Sequence, residues 1–494
     1  MSKPYSFRSP LLGLLIASAF AVAAPVHAQS LQGAVKTLDA EKIKTIEFSG
    51  KGRWFQFGQA PAPTLPWPPF DVSRYVADID YATAAAQVQI TRIQVEEPSR
   101  RRPAPTTQWA NQFVHGAFAW NLPVAGAAQT PAPQPATVEE RQAEIWSTPQ
   151  GFLRAALGHN AESKPVKGGV EVSFSIDDKH RYVGKINDKN QVEWIRTWID
   201  TPVLGDTLVE THFSDYRSFD GVQFPAHILR NEGGHPILDL NVESAQANPD
   251  LKLAVPEQVA SAKPVAVTVK CTKITEGVYY LTGGTHHSVA VEQKDHVVLI
   301  EAPLNEARSQ ALIDKLKDVA HGKPIKYLVN THAHFDHSGG LRTFVDEGAT
   351  IVTAKGNEAY YKKIWATPHS LNPDRLEQSH KTAKLETFTG KHVLSDGSRN
   401  IEIYPIAGSA HNDAFALIYL PAEKILVEAD AFTPAAADAP LPASPNPYSV
   451  NLYDNIKKLK LNVDKIAALH GPRLVNLGDL RAAIGEGAAP VVSK

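Results

Sequence analysis

The stretch Ile325-Lys326-Tyr327-Leu328-Val329-Asn330-Thr331-His332-Ala333-His334-Phe335-Asp336-His337-Ser338-Gly339-Gly340 decides the fold of the C-terminal half. Its first five residues read as a strand. Three histidines and an aspartate then follow within positions 332 to 337, where that strand becomes a loop. Imidazole and carboxylate are the donors zinc takes in mixed nitrogen and oxygen sites. Alternation at 332, 334 and 336 predicts three side chains on one side of an extended segment, with His337 turned back beside them. Gly339 and Gly340 are expected to let the backbone turn tightly into a helix. A histidine-rich surface loop explains the pattern poorly, because composition alone yields it roughly once in a thousand chains of this length.

A strand followed by His-X-His-X-Asp-His and two glycines resembles the signature of the metallo-β-lactamase superfamily. The resemblance covers about residue 268 to the C-terminus and implies three later ligands at strand ends. His411 in Gly408-Ser409-Ala410-His411, Asp430 after Ile425-Leu426-Val427, and His470 after Ile466-Ala467-Ala468-Leu469 fill those places in order. The resemblance then implies that His332, His334 and His411 hold one metal, that Asp336, His337 and His470 hold a second, and that Asp430 bridges them. The expected cofactor is two zinc ions, with iron or manganese as substitutes. Two such cations lower the pKa of a shared water from ~15.7 towards ~7, and a metal steadies the developing oxyanion. Asp336 is expected to be catalytic, orienting that water or carrying its proton.

The residue at position 430 narrows the substrate. Relatives with the β-lactamase activity carry cysteine or serine there, whereas glyoxalase-II-like thioesterases, lactonases and phosphodiesterases carry aspartate. A small ester, thioester, lactone or amide is therefore the expected substrate. Two other readings stand beside this one: a mononuclear iron sulfur dioxygenase of the same fold, and a periplasmic ligand-binding protein with a structural metal site. His286 and His287 read as substrate contacts or as ordinary loop polarity. Glu301 reads as support behind a ligand or as strand-end polarity. Ala435 to Pro447 reads as a lid or a passive loop, and Tyr360, Tyr361, Trp365 and His369 read first as packing.

Upstream the texture differs. Val170, Val172, Phe174 and Ile176 alternate with polar residues, as do Leu238, Leu240 and Val242, the period of half-buried strands. Asp220-Gly221 is a hairpin signal. Thr148 and Pro149 open a helix whose apolar face is Phe152, Leu153, Ala156 and Leu157. A curved antiparallel sheet with a helix against it, and the phrase Tyr216 to Pro225, resemble the half-barrel of periplasmic lipoprotein carriers. From Thr268 onward, short strands alternate with amphipathic helices, which predicts layered α/β structure. The expected fold is an αββα sandwich preceded by a mostly antiparallel, β-rich domain. Its expected boundaries are 1–28 for a signal peptide, 29–265 for the β-rich domain and 266–494 for the metal-binding domain.

The signal peptide rests on Lys3 and Arg8, the apolar run Leu11 to Ala24, and Val26-His27-Ala28 as a cleavage site, which predicts export to the bacterial periplasm. That run is shorter than the roughly 20 residues of a membrane span, so the mature chain is expected to have no transmembrane segment. Loss of Lys3 and Arg8 takes the formal charge from −2 to −4. A small-molecule substrate is therefore favoured over nucleic acid. Arg100-Arg101-Arg102, between Pro98 and Pro103, reads as a solvated loop. Cys271, the only cysteine, excludes an intrachain disulfide. Nothing in the sequence speaks to oligomeric state.

Overall fold

A computed structural model describes residues 1, 30–123 and 130–486 of the chain. The expected signal peptide and the centre of the proline-rich stretch Pro123 to Pro135 lie outside the described residues. Among those residues, thirteen strands between Thr45 and Ala247 form one antiparallel sheet. At its middle, Thr45–Phe55 pairs with Pro69–Asp80 on one side and with His235–Ala247 on the other. Hairpin neighbours then continue outward to the edge strands Ala132–Pro133 and Glu162–Val166.

The period of two selects the buried face. Ile46, Phe48, Val170, Val172, Phe174, Leu238, Leu240 and Val242 all point into one core and are no more than 6% exposed. Asp220 and Gly221, at φ of 48° and 94°, make the two-residue turn that pairs Phe219 with Val222; positive φ at both centres gives the twist such hairpins need. The helix Pro149–Gly158 starts as its sequence predicts, with the Thr148 hydroxyl accepting the Gly151 N–H at 3.2 Å. Phe152, Leu153 and Ala156 are buried, but Leu157 is among the exposed large hydrophobics. The contact stripe runs through 149, 152, 153 and 156, and each further residue turns about 100° away. Three helices go beyond the sequence reading, Leu31–Thr37, Val138–Trp146 and the single turn Glu257–Ala260. The second hides its amphipathicity behind Glu139, Glu140, Arg141 and Glu144, of which Arg141 is buried and donates to the Phe113 and Trp120 carbonyls.

The C-terminal part is layered. Seven strands from Lys270–Thr275 to Lys384–Phe388 lie in chain order, the first four antiparallel and the rest parallel to Val297–Ile300. Six strands from His392–Ser395 to Val475–Asn476 make a second sheet. Val298, Ile300 and Val329 of one sheet meet Ile401, Ile403 and Leu417 of the other. Burying each such side chain contributes about 1.5–3 kcal/mol. The far side of the first sheet packs Val297 and Leu299 on Leu312, Leu316 and Phe344 of the helices Glu306–Val319 and Leu341–Asp346. Leu452 and Leu480, from Pro447–Lys458 and Leu477–Ala483, join the inner core. Val297 to Ile300, apolar throughout, is buried on both faces because it lies between these layers.

The two parts touch through a loop. Residues 56–68, between the strands Thr45–Phe55 and Pro69–Asp80, reach across to the strand-end loops of the C-terminal sheets. Gly58 sits at φ 77°, and a Cβ there would lie 2.7 Å from the Phe335 ring. Only glycine allows this approach. Its carbonyl accepts the Phe335 N–H at 3.1 Å, and Phe57 and Trp67 pack edge-on against the same ring.

Candidate metal centre

The strand Ile325–Val329 delivers His332 and His334 on extended backbone, and a single helical turn, Phe335–Ser338, carries Asp336 and His337. Asp336 thus reaches the group from a helical turn, not from the extended segment the alternation predicted. Gly339 and Gly340 have φ of −63° and −101°, open to any residue. What they supply is closeness: a Cβ on Gly339 would lie 1.9 Å from the Leu304 carbonyl oxygen, and one on Gly340 would lie 2.1 Å from Ser309 Oγ.

All seven expected ligands converge, in two groups joined by one carboxylate. His332, His334, His411 and Asp430 offer donor atoms within 4.8 Å of one another, and so do His286, Asp336, His337 and His470. Asp430 Oδ2 lies 3.2 Å from His332 Nε2 and 2.8 Å from His411 Nε2, while its Oδ1 lies 3.2 Å from His337 Nε2 and 3.0 Å from His470 Nε2. The His332–His411 and His337–His470 nitrogens are 3.3 and 3.1 Å apart. Two nitrogens on one tetrahedral zinc, each about 2.0–2.1 Å from it, are separated by about 3.4 Å. The donor set therefore fits a metal pair.

The tautomers fit as well. His334 Nε2 donates to the Ala60 carbonyl at 3.0 Å, which leaves Nδ1 with the lone pair, and that buried atom has no hydrogen-bond partner. His337 Nδ1 donates to Glu301 Oε2 at 3.1 Å and turns Nε2 to the group. His332 Nδ1 donates to Thr331 Oγ1 at 3.0 Å, and the Thr331 hydroxyl donates in turn to Glu301. Glu301, fully buried, also accepts the Thr331 and Asn330 N–H groups at 3.2 and 3.1 Å. It sits at φ 73°, a strained conformation for a residue with a Cβ. One carboxylate thus fixes two imidazoles, as partners behind metal ligands do.

Electrostatics divide the histidines. Burial, helped by the His337 charge, pushes His332 down to about 4, and burial with His332 holds His334 well below the usual imidazole range; both are neutral, as ligands must be. Burial opposes charge on His337 and His470 too. Asp430 and Glu301 more than offset it at His337, and Asp336 and Asp430 raise His470 to about 9. Burial would raise Asp336, yet His286, His470 and His337 hold it well below the ordinary carboxylate range.

Other residues fall into place around the groups. His286 Nε2 donates to Asp336 Oδ2 at 3.0 Å. His287 is 4% exposed, and its Nε2 donates to the Gly471 carbonyl at 2.6 Å, so backbone engages it. Tyr361 is buried, stacks on Trp365 and donates to Asn330 Oδ1 at 2.6 Å. Residues 435–446 are exposed; the segment covering the ligands is 56–68.

Sequence reasoning missed four residues here. Gln59 Nε2 donates to Asp336 Oδ1 at 2.8 Å, and Asn412 Nδ2 donates to the Ala60 carbonyl at 3.2 Å. Glu428 accepts the Phe432 N–H at 2.9 Å and closes the turn that holds Asp430. Arg102 faces His334, His411 and Tyr448 across a space of about 320 Å³. The arginine run, expected as a solvated loop, is exposed only at Arg101. Arg100 and Arg102 are 13% exposed in their side chains, and Arg100 grips Asp413 through two hydrogen bonds of 2.7 and 2.9 Å. Only the arginine run offered a signal, and its charge was balanced by a partner 313 positions away.

Residues 281–470 match the Metallo-beta-lactamase superfamily. The C-terminal part of this chain is thus a domain with the metallo-β-lactamase fold. A segment of 159 residues is 26% identical to the linear primary-alkylsulfatase of Pseudomonas sp., covering 30% of this chain and 23% of that protein. A segment of 167 residues is 24% identical to the metallo-β-lactamase type 2 of Elizabethkingia meningoseptica, covering 32% and 60%. The chain therefore spans less than two thirds of either relative. Among solved structures, a metallo-β-lactamase from Pontibacter korlensis is similar at 20% identity, covering 44% of this chain and 98% of that one, with a TM-score of 0.34.

Proposed function

We propose that this protein is a hydrolase that uses two metal ions, zinc in the first instance, to cleave a small ester, thioester, lactone or amide. The observation that carries the reading is the division of Asp430, one oxygen toward His332 and His411 and the other toward His337 and His470. A carboxylate so shared suits a pair of ions better than one closed structural site, which four ligands would fill. Bound metal would supply a water acidified to neutral pH and a Lewis acid for a developing oxyanion.

The chain's own residues do the positioning. Gln59 and His286 hold the two oxygens of Asp336, so the carboxylate keeps one orientation from which to accept a hydrogen bond from an attacking water and aim it. Glu301 and the Ala60 carbonyl fix the imidazoles. The loop 56–68 and Arg102 narrow the approach to His334 and His411 and thus restrict water and substrate alike. We read the N-terminal sheet as the part that shapes access, and the apolar run after Lys3 and Arg8 as an export signal.

The test is metal content of the purified protein, beside a panel of chromogenic ester, thioester, lactone, β-lactam, phosphodiester and alkyl sulfate substrates. The last is added because of the alkylsulfatase relative. About two zinc ions per chain and chelator-sensitive cleavage of one class are expected. A single iron, or no turnover on any class, overturns the proposal.

A further inference from the structure

A cavity of about 1060 Å³ lies between the N-terminal sheet and the metallo-β-lactamase domain, bordered by Asp336 and Phe335. The Asp336 side chain is 30% exposed, so this space reaches one flank of the metal centre. Its charged lining has one sign. Glu139, Glu140, Asp177, Asp200 and Glu232 join Asp336, and no lysine or arginine lines it among the described residues. The cations around it are committed elsewhere or peripheral: Arg141 donates to the Phe113 and Trp120 carbonyls, Arg230 contacts Glu144, and Lys179 stands 3.4 Å from Glu139. His180, in the same wall, lies 3.5 Å from Glu139.

A set of acids alone would describe any solvated surface. Glu232 is different, because it is 3% exposed and lines the cavity while its carboxylate has no hydrogen-bond or ion-pair partner among the described residues. Burying a carboxylate without a partner is costly. Burial and the neighbouring Glu140 raise its pKa well above the usual range, with Arg230 only partly opposing. Glu139 Oε1, 3.5 Å from His180 Nδ1, is a buried carboxylate oxygen without a hydrogen-bond partner. The same walls carry Phe57 and Trp146, aromatic rings of the kind that attract cations on their faces and shelter apolar groups. A concave, one-signed lining of this kind focuses field lines and concentrates the opposite charge. A space this large, with aromatic walls, suits an organic ion better than a bare metal cation.

We propose that this cavity binds an organic cation, an amine or quaternary ammonium with an apolar body, beside the Asp336 flank of the metal centre. That the cation belongs to the part of the substrate distant from the cleaved bond rests on the hydrolase reading; the binding itself does not.

The test is calorimetry on the full chain with three probes of similar size: benzyltrimethylammonium, neutral 2-phenylethanol and anionic phenylacetate. The ammonium has no lone pair to offer a metal, so its binding reports the cavity. It is expected to bind at least tenfold more tightly than the alcohol, with phenylacetate weakest. Glu140→Gln with Glu232→Gln should lower its affinity at least tenfold and leave metal content unchanged. Asp200→Asn, at the cavity edge, serves if that pair does not fold and should weaken the ammonium selectively. Equal affinity for ammonium and alcohol, preference for phenylacetate, or an ammonium affinity untouched by these variants would overturn the proposal. Displacement of the ammonium by millimolar calcium would overturn it in favour of an inorganic ion. Loss of turnover on every substrate class with ammonium binding intact would count against the hydrolase reading alone.

Discussion

Gln59 Nε2 and Asp336 Oδ1 lie 2.8 Å apart, although 277 positions separate them in the chain. The amide belongs to a loop of the N-terminal sheet, and the carboxylate belongs to the metal-binding motif. The bond joins the part of the molecule without ligands to a residue that contacts the ligand cluster most open to the large cavity.

Gln59→Ala removes that donor without changing the ligand set. Partners behind metal ligands typically contribute 10–100-fold in metal affinity or activity. The expected outcome is a fall of about tenfold in affinity for the more weakly held ion, with the unfolding midpoint moved by only a few degrees. Competition titration against a chromophoric chelator measures it, and an unchanged second binding constant would remove Gln59 from the site.

Asp430→Ala should cost more. Each oxygen faces two imidazoles, so its loss removes the one donor shared by both groups. Metal content by elemental analysis is expected to drop from two ions to one or fewer. Two ions at wild-type affinity would show that Asp430 does not bridge.

Glu301→Gln tests the fixing of the imidazoles. The carboxylate is fully buried and accepts hydrogen bonds from His337, Thr331 and Asn330. A glutamine must turn one donor toward donors. Breaking a buried charge pair costs about 3–5 kcal/mol, so a clear fall in thermal midpoint is expected, larger in metal-free protein than in metal-loaded protein. Equal midpoints for variant and wild type would contradict the role.

Glu140 gives the pH dependence. Glu140 is open to the cavity, yet enclosure by the surrounding walls, with Glu144 adding and Arg141 and Arg230 opposing, pushes it up to about 7. A carboxyl raised in the folded state keeps its proton there after the unfolded chain has lost it. Between about pH 4.5 and 7 the folded state therefore binds more protons, and this group's contribution to stability falls as pH rises. Glu140→Gln should raise the thermal midpoint at pH 8 and leave it unchanged at pH 4.5. The opposite order in differential scanning calorimetry would show that the carboxylate is stabilised by a cation already present.

The C-terminal half was legible for a local reason. His332 to His337 fall within one strand-to-loop transition, and His411, Asp430 and His470 each follow an apolar strand, so position along the chain was enough to order them. Glu301 was half legible, because its place at the end of Val297–Ile300 was visible while its bonds to Thr331 and His337 were not. Gln59, Ala60 and Arg100 act through contacts hundreds of residues long, and Ala60 acts through its backbone carbonyl, which any residue possesses. No spacing rule reports such a contact. The helix Val138–Trp146 was hidden for another reason. Its acids face a cavity, and an acid lining a cavity looks in sequence like an acid facing bulk water.

The Ala60 carbonyl that sets the His334 tautomer gives the metal centre a place in the order of maturation. Until the N-terminal sheet has docked, His334 lacks the acceptor that reserves Nδ1 for metal, and Asp336 lacks its amide. Under the proposed function, full affinity for metal then arrives only once the N-terminal sheet has docked, and metal uptake can serve as a readout of completed assembly.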